Sequence, residues 1–285
     1  MATIRRHVES RGARQLGGIN NPQTSKSSTQ SRYFFDSFSQ EPINTKAGAL
    51  AAPAGTALTA CLIHTGKHTF QWATTADETD EFYPTLATDG GYNFQIAATP
   101  VAADGVEINF GGDKTTHPRN FTGSEENFFV RVLLNLTDAS GGDVFFGVKK
   151  VATTVATLTE ITDLVGLRAL GDSSSTTAAW TILTNLNNAG STDYSSTTAS
   201  VTALEDTTAV ELEVQGVNGK AFLYVNGVEV TGFTYTFDSG DVLSPILRLA
   251  QTTDTTAAYK LFAVEGGLLE DRSPESLNAL ASATS

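Results

Sequence analysis

The sequence predicts an all-β protein: an antiparallel β-sandwich with an extended arm in front of it. Three observations carry this. First, apolar and polar residues alternate along short segments. In Thr208–Gln215, Val210, Leu212 and Val214 take one face and Glu211, Glu213 and Gln215 the other. Second, turn signals punctuate the chain: Gly90-Gly91, Gly111-Gly112, Gly141-Gly142, Asn218-Gly219 and Asn226-Gly227. Asn-Gly suits a two-residue hairpin because both central positions need φ > 0. Third, helical periodicity is nearly absent and no fixed-period repeat occurs, which argues against a propeller or a solenoid.

Taken in order, residues 1–32 are polar, and Gly17-Gly18 and Asn20-Asn21-Pro22 break any helix. The run Q-T-S-K-S-S-T-Q-S cannot build a core. Arg5, Arg6, Arg11, Arg14, Lys26 and Arg32 stand against Glu9 alone, a charge of +5 (6 − 1). The whole chain carries −13, so the remainder carries −18 (−13 − 5). An acidic body opposes nucleic-acid binding, whereas a basic arm suits an acidic surface. Tyr33, Phe34, Phe35 and Phe38 are too apolar for a free tail. They either begin the sandwich or plug into a neighbour. The Ala-rich run up to residue 60 contains Pro53 and Gly55 without helix caps and reads as extended chain or loop.

Strands are expected near Thr69–Thr74, Tyr92–Ala98, Val106–Phe110, Phe128–Leu136, Val144–Lys149, Val165–Leu170, Ala178–Leu183 and Val201–Leu204. Phe128–Leu136 alternates imperfectly, as a central strand covered on both faces does. Leu158 onward leaves room for one helical turn, and Asp172–Thr177 and Asn187–Ser200 read as polar loops. After Thr208–Gln215 come Lys220–Val225, Val228–Phe237, Pro245–Gln251 and Ala257–Val264. At the end, Ser273 caps and Pro274 opens a two-turn helix, whose Leu277, Leu280 and Ala281 must dock to be stable. The organisation is an arm and linker over 1–60, a sandwich over 61–266 and a tail over 267–285.

The run V-E-L-E-V-Q-G-V-N-G-K-A-F-L-Y-V-N-G-V-E-V, followed by L-S-P-I-L-R-L and Y-K-L-F-A-V, resembles the C-terminal half of concanavalin A-like (laminin-G-like) jelly rolls. F-F-V-R-V-L-L-N-L, D-V-F-F-G-V-K-K and D-L-V-G-L-R-A-L precede it in the order that family uses. The resemblance covers roughly residues 65–266 and implies a jelly-roll β-sandwich. It implies little about function, because the fold carries lectins, glycosidases, adhesion modules and virion proteins.

Glycosidases of this fold place Glu-x-Asp-x-x-Glu on one strand. The nearest match, Glu78-Thr79-Asp80-Glu81-Phe82-Tyr83, has Tyr83 where the third carboxylate belongs. His64 and His68 lack a third metal ligand, and Gly66 breaks a shared helical face. Asp80 and Asp193 lack the rest of a Ca²⁺ loop. Cys61 is the single cysteine, so no intrachain disulfide forms. The start M-A-T-I-R-R-H-V-E-S has no apolar core of a signal peptide, and no run reaches the roughly 18 apolar residues of a membrane span. Trp72 and Trp180 fall among apolar neighbours and read as core.

A Cys-poor, acidic, Thr/Ser/Ala-rich sandwich with a basic arm resembles the capsid decoration (cement) proteins of tailed bacteriophages. That resemblance implies a virion structural protein on the capsid surface, made in the host cytoplasm, and not an enzyme. Its partners would be the major capsid protein and copies of itself as a trimer, with no nucleic acid, membrane, cofactor or metal. The partner-binding residues would be Arg5, Arg6, Arg11, Arg14, Tyr33, Phe34, Phe35 and Phe38. Two alternatives stand beside it. A glycan-binding module of a tail fibre or spike should expose Trp72 or Trp180 beside polar loops. A glycoside hydrolase or lyase should line a sheet with Glu and Asp.

Overall fold

A computed structural model describes residues 32–40, 43–45, 59–65, 69–74, 84–95 except 89, 105–151 except 113–114, 158, 161, 163–186 except 173–175, and 195–271 except 253–257. The described chain opens with β1 (Phe34–Asp36), β2 (Ile43–Thr45), β3 (Thr59–His64), β4 (Thr69–Thr74), β5 (Thr85–Leu86), β6 (Tyr92–Gln95) and β7 (Gly105–Asn109). Next come β8 (Phe121–Thr122), β9 (Phe128–Leu136), β10 (Gly142–Lys150), β11 (Leu164–Leu170), β12 (Thr177–Ala178), β13 (Trp180–Asn185) and β14 (Ser195–Thr198). The rest are β15 (Leu204–Glu205), β16 (Val210–Val217), β17 (Lys220–Val225), β18 (Val228–Val230), β19 (Val242–Gln251) and β20 (Ala258–Leu268), before a 3₁₀ turn at Leu269–Asp271.

The strands build two large antiparallel sheets and the jelly-roll sandwich expected from the sequence. The eight-stranded sheet runs β18-β17-β16-β9-β20-β6-β5, with β1 also paired to β20. The ten-stranded sheet runs β14-β13-β11-β10-β19-β7-β4-β3-β2, with β8 also paired to β19. Period-2 alternation sends one side chain in two inward. Val130, Val132 and Leu134 of β9, with Leu212 and Val214 of β16, meet Val144, Phe146 and Val148 of β10 and Leu247 and Leu249 of β19. Each such side chain, fully buried, stabilises the fold by about 1.5–3 kcal/mol.

Pro245 sits inside β19, where a proline normally costs a ladder bond. Its position removes that cost. β19 pairs with β8 at Val242 and Leu243 and with β7 from Ile246 onward, so Pro245 lies at the change of partner. Its carbonyl still accepts the Phe110 N–H at 3.0 Å on that side.

Several boundaries differ from expectation. The sandwich starts at Phe34, ahead of residue 61, because β1, β2 and the start of β3 are strands of its two sheets. Of the two uses open to the aromatic segment, Phe34 and Phe38 take the first: both are buried in this chain's own core. The strand expected over Val228–Phe237 stops at Val230, since Gly232 adopts φ 92°, yet Tyr235 and Phe237 still enter the core. Part of the expected loop Asn187–Ser200 is β14, which pairs with β13. The helix expected at Ser273 and the arm up to residue 31 lie outside the described residues.

Candidate functional site

Residues directly opposite one another in an antiparallel sheet point to the same face. Register therefore draws one row across the outer face of the ten-stranded sheet: Thr198, Thr181, Arg168, Phe145, Arg248 and Glu107. From β14 to β7 the row crosses five inter-strand steps, about 24 Å at about 4.8 Å each. Asp143, opposite Leu170 and Ala250, lies one position along on the same face. Lys149, opposite Leu164 and Ser244, lies on the other side of the row.

The charges on this face are paired. Arg168 donates from Nε and Nη2 to the two oxygens of Asp143, at 2.7 and 2.6 Å. That bidentate geometry fixes the guanidinium plane. Lys149 Nζ donates to Glu107 Oε1 at 2.5 Å, and Arg248 Nε lies 3.9 Å from Glu107 Oε2. Burial draws the Arg248 guanidinium below its ordinary range, opposed by the charges of Glu107 and Asp143. Among the charged side chains of the row access falls toward β7: Arg168 is 26% exposed, Arg248 13% and Glu107 3%. The Lys149–Glu107 end is therefore a structural anchor. The open end holds Arg168 and Asp143 beside half-buried Thr181, exposed Thr198 and exposed Leu170.

Phe145 forms the floor of the row. Its ring lies against Gly147 and Gly166, where a Cβ would come within 2.7 and 2.6 Å of Phe145 Cζ. Leu158, Ile161, Leu164, Leu183 and Ile246 pack around it and close the inner end of the face.

Two further charged groups are structural in character. On the outer face of the eight-stranded sheet, Arg131 stands in register between Glu213 and Glu265. Its Nε donates to Glu265 Oε2 at 2.6 Å and its Nη1 lies 3.5 Å from Glu211 Oε2. Arg131, Glu213 and Glu265 are all buried. Elsewhere the carboxylates of Asp163, Asp238 and Asp241 converge within 4.8 Å. Lys150 Nζ already serves them, 2.6 Å from Asp241 and 3.3 Å from Asp163, and these contacts raise its pKa, the Asp241 hydrogen bond most.

Of the residues singled out from sequence, Arg5, Arg6, Arg11 and Arg14 lie outside the described residues, as do Glu78–Tyr83, His68 and Asp193. Tyr33 and Phe35 are half-buried, and the Tyr33 hydroxyl donates to Glu265 Oε1 at 2.7 Å. Phe34 and Phe38 are buried in this chain's own core. Trp180 is fully buried in that core and offers no stacking surface, while the Trp72 side chain lies outside the described set. His64 closes β3. Glu107, Asp143, Arg168 and Arg248 were missed because they come from four strands. The signal available was a charge in the middle of an otherwise apolar strand, as in L-V-G-L-R-A-L and P-I-L-R-L.

No protein-family model and no curated protein matches the chain. Among solved structures it is similar to the family 7 polysaccharide lyase alginate lyase A1-II′, at 15% identity over 68% of this chain and 86% of that one, with a TM-score of 0.44. An alginate lyase from Pseudomonas aeruginosa shares 10% identity over 67% of this chain and 87% of that one, at 0.48. The carbohydrate recognition domain of Emp47p shares 8% over 69% and 88%, at 0.45. Likeness at this level speaks to fold. The expectation that the chain is not an enzyme is withdrawn, alginate lyases being among these structures. The missing single-strand carboxylate motif excludes no activity. Groups on a sheet face are assembled across strands, where a scan along one strand does not see them.

Proposed function

We propose that this sandwich recognises a polysaccharide along the outer face of its ten-stranded sheet, as a glycan-recognising component of the tail-fibre or spike kind. The observation that carries this reading is the polar row itself. Threonine hydroxyls at 198 and 181 lead to the planar, fixed Arg168–Asp143 pair, with Leu170 exposed beside it. Fixed hydrogen-bonding groups alongside an apolar contact suit a sugar, which offers hydroxyls at its edge and C–H groups on its faces. Its open part, from Thr198 to Arg168, spans two strand steps, about 10 Å at about 4.8 Å each, room for a short run of sugar units. The capsid-cement reading rests on arm arginines outside the described residues and loses Phe34 and Phe38 to the core.

The test is affinity electrophoresis of the full chain through gels containing laminarin, dextran, alginate or polygalacturonate. Release of reducing ends and of unsaturated product is read from the same samples. At least one polysaccharide should retard the chain. Arg168→Gln should weaken that retardation about tenfold, the loss of a charge-assisted bond worth about 1.5–3 kcal/mol. Retardation by none of the four, or equal retardation of the variant, sinks the proposal.

A further inference from the structure

Beyond Thr198 the chain leaves β14 and turns along the rim between the two sheets. The Ala199 N–H donates to the Trp180 carbonyl at 2.7 Å, which fixes where Ser200, Val201 and Thr202 pass. They face the Asn226-Gly227 turn that joins β17 to β18. Ser200, Val201, Thr202, Val225, Asn226 and Val228 line an open depression of about 440 Å³. That volume falls within the roughly 300–1,000 Å³ of small-molecule sites.

The lining combines two chemistries. Val201 and Val228 form an apolar wall, and Val228 is 58% exposed, the larger of the two exposed large apolar side chains among the described residues. Asn226 is held rigidly at φ 50°. Its N–H donates to the Glu211 carbonyl at 2.8 Å, and its Oδ1 accepts the Glu211 N–H at 2.9 Å. With Oδ1 so engaged, the amide cannot flip, and the two Nδ2 hydrogens make no bond to the described residues. The Ser200 and Thr202 hydroxyls make none either. Three polar groups, one of them a fixed double donor, therefore meet a valine wall in one concavity. A pyranose ring matches that layout, with its hydroxyl edge to the polar side and its C–H face to the valines.

We infer that this rim depression is a monosaccharide subsite, separate from the charged strip on the sheet face. Its ligand class rests on the glycan reading above; its location does not. The experiment follows amide resonances of the ¹⁵N-labelled full chain during titration with the methyl glycosides of glucose, galactose and mannose. At least one glycoside should shift the amides of Ser200–Thr202 and Asn226–Val228. Asn226→Asp keeps the positive φ and the acceptor for the Glu211 N–H but removes the donor, and should weaken that binding at least fivefold. Arg168→Gln should leave it unchanged. Rim amides unmoved by all three glycosides, with a polysaccharide still retarded, overturn the subsite and spare the broader reading. An unaffected Asn226→Asp variant overturns it too. Failure of both glycosides and polysaccharides overturns both.

Discussion

Two glycines decide whether the candidate face can exist. Gly147 and Gly166 are opposite each other in β10 and β11. A Cβ on Gly147 would stand 2.3 Å from the Val165 carbonyl oxygen, and one on Gly166 2.4 Å from that of Phe146. Backbone oxygens in a paired strand cannot give way, and the Phe145 ring occupies the remaining space. Gly147→Ala or Gly166→Ala should therefore lower stability by about 1–3 kcal/mol, the usual cost of overpacking. The check is a lower urea midpoint at unchanged slope. Two tyrosines set the alkaline limit. Burial pushes the phenols of Tyr235 and Tyr259 far above their ordinary range. An unfolded tyrosine ionises near pH 10, so above that pH the unfolded chain sheds protons that the native chain keeps. The stability these groups contribute is full below about pH 10 and falls as pH climbs toward the raised native values. Melting temperatures from pH 8 to 11 should drop, and Tyr259→Phe should flatten the drop.

Among elements, legibility in the sequence followed the source of each strand's stability. β9 was read with its observed bounds, and the β16–β17 hairpin within about two residues, because alternation and Asn-Gly turns are local signals. β14 reads from sequence as polar loop, turn or edge segment because S-S-T-T has no apolar face of its own; it is an edge strand because β13 supplies its partners. β3 was missed because it follows an Ala/Gly/Pro run that reads as loop. The candidate face was illegible for the same reason as β14. Arg168 and Asp143 are 25 residues apart and meet only through register. Register also explains the buried group on the other sheet, where Arg131 sits between Glu213 and Glu265. Removing one partner from such a cluster leaves unbalanced charge in a dry place, which costs about 3–5 kcal/mol. Arg131→Met should do so, and adding Glu265→Leu should restore a large part of the loss. A double-mutant cycle on urea unfolding measures the coupling, and simple additivity of the two changes would mean the pair is not what holds β9 to β20.

Over the whole molecule, the fold closes by joining its two ends. β1 pairs with β20 across more than 200 residues, Phe34 opposite Gly266. Phe34 lies over that glycine, whose absent side chain leaves the room it needs. Arg119 covers the ring from 5.7 Å. Phe38 packs on Tyr92 with ring centroids 4.8 Å apart, and the Tyr92 hydroxyl donates to the Gln40 carbonyl at 2.9 Å. Asp36 accepts the Phe38 N–H at 2.8 Å and a bond from the Thr65 hydroxyl, tying the segment to the end of β3. Arg32 anchors the near end through Glu126 and through the Asn120 carbonyl at 2.8 Å. These contacts make the aromatic segment part of the sandwich's own stability. Phe34→Ala and Phe38→Ala should each cost about 3–5 kcal/mol, as core Phe truncations do. The measurement is urea unfolding at several protein concentrations. If the two rings instead served a neighbouring subunit, the dilute chain would be indifferent to their loss, and wild-type stability would rise with concentration by mass action. A large loss at every concentration places both side chains in the folded monomer, and any contact made by Arg5, Arg6, Arg11 or Arg14 would then have to form from an arm already fixed at Arg32.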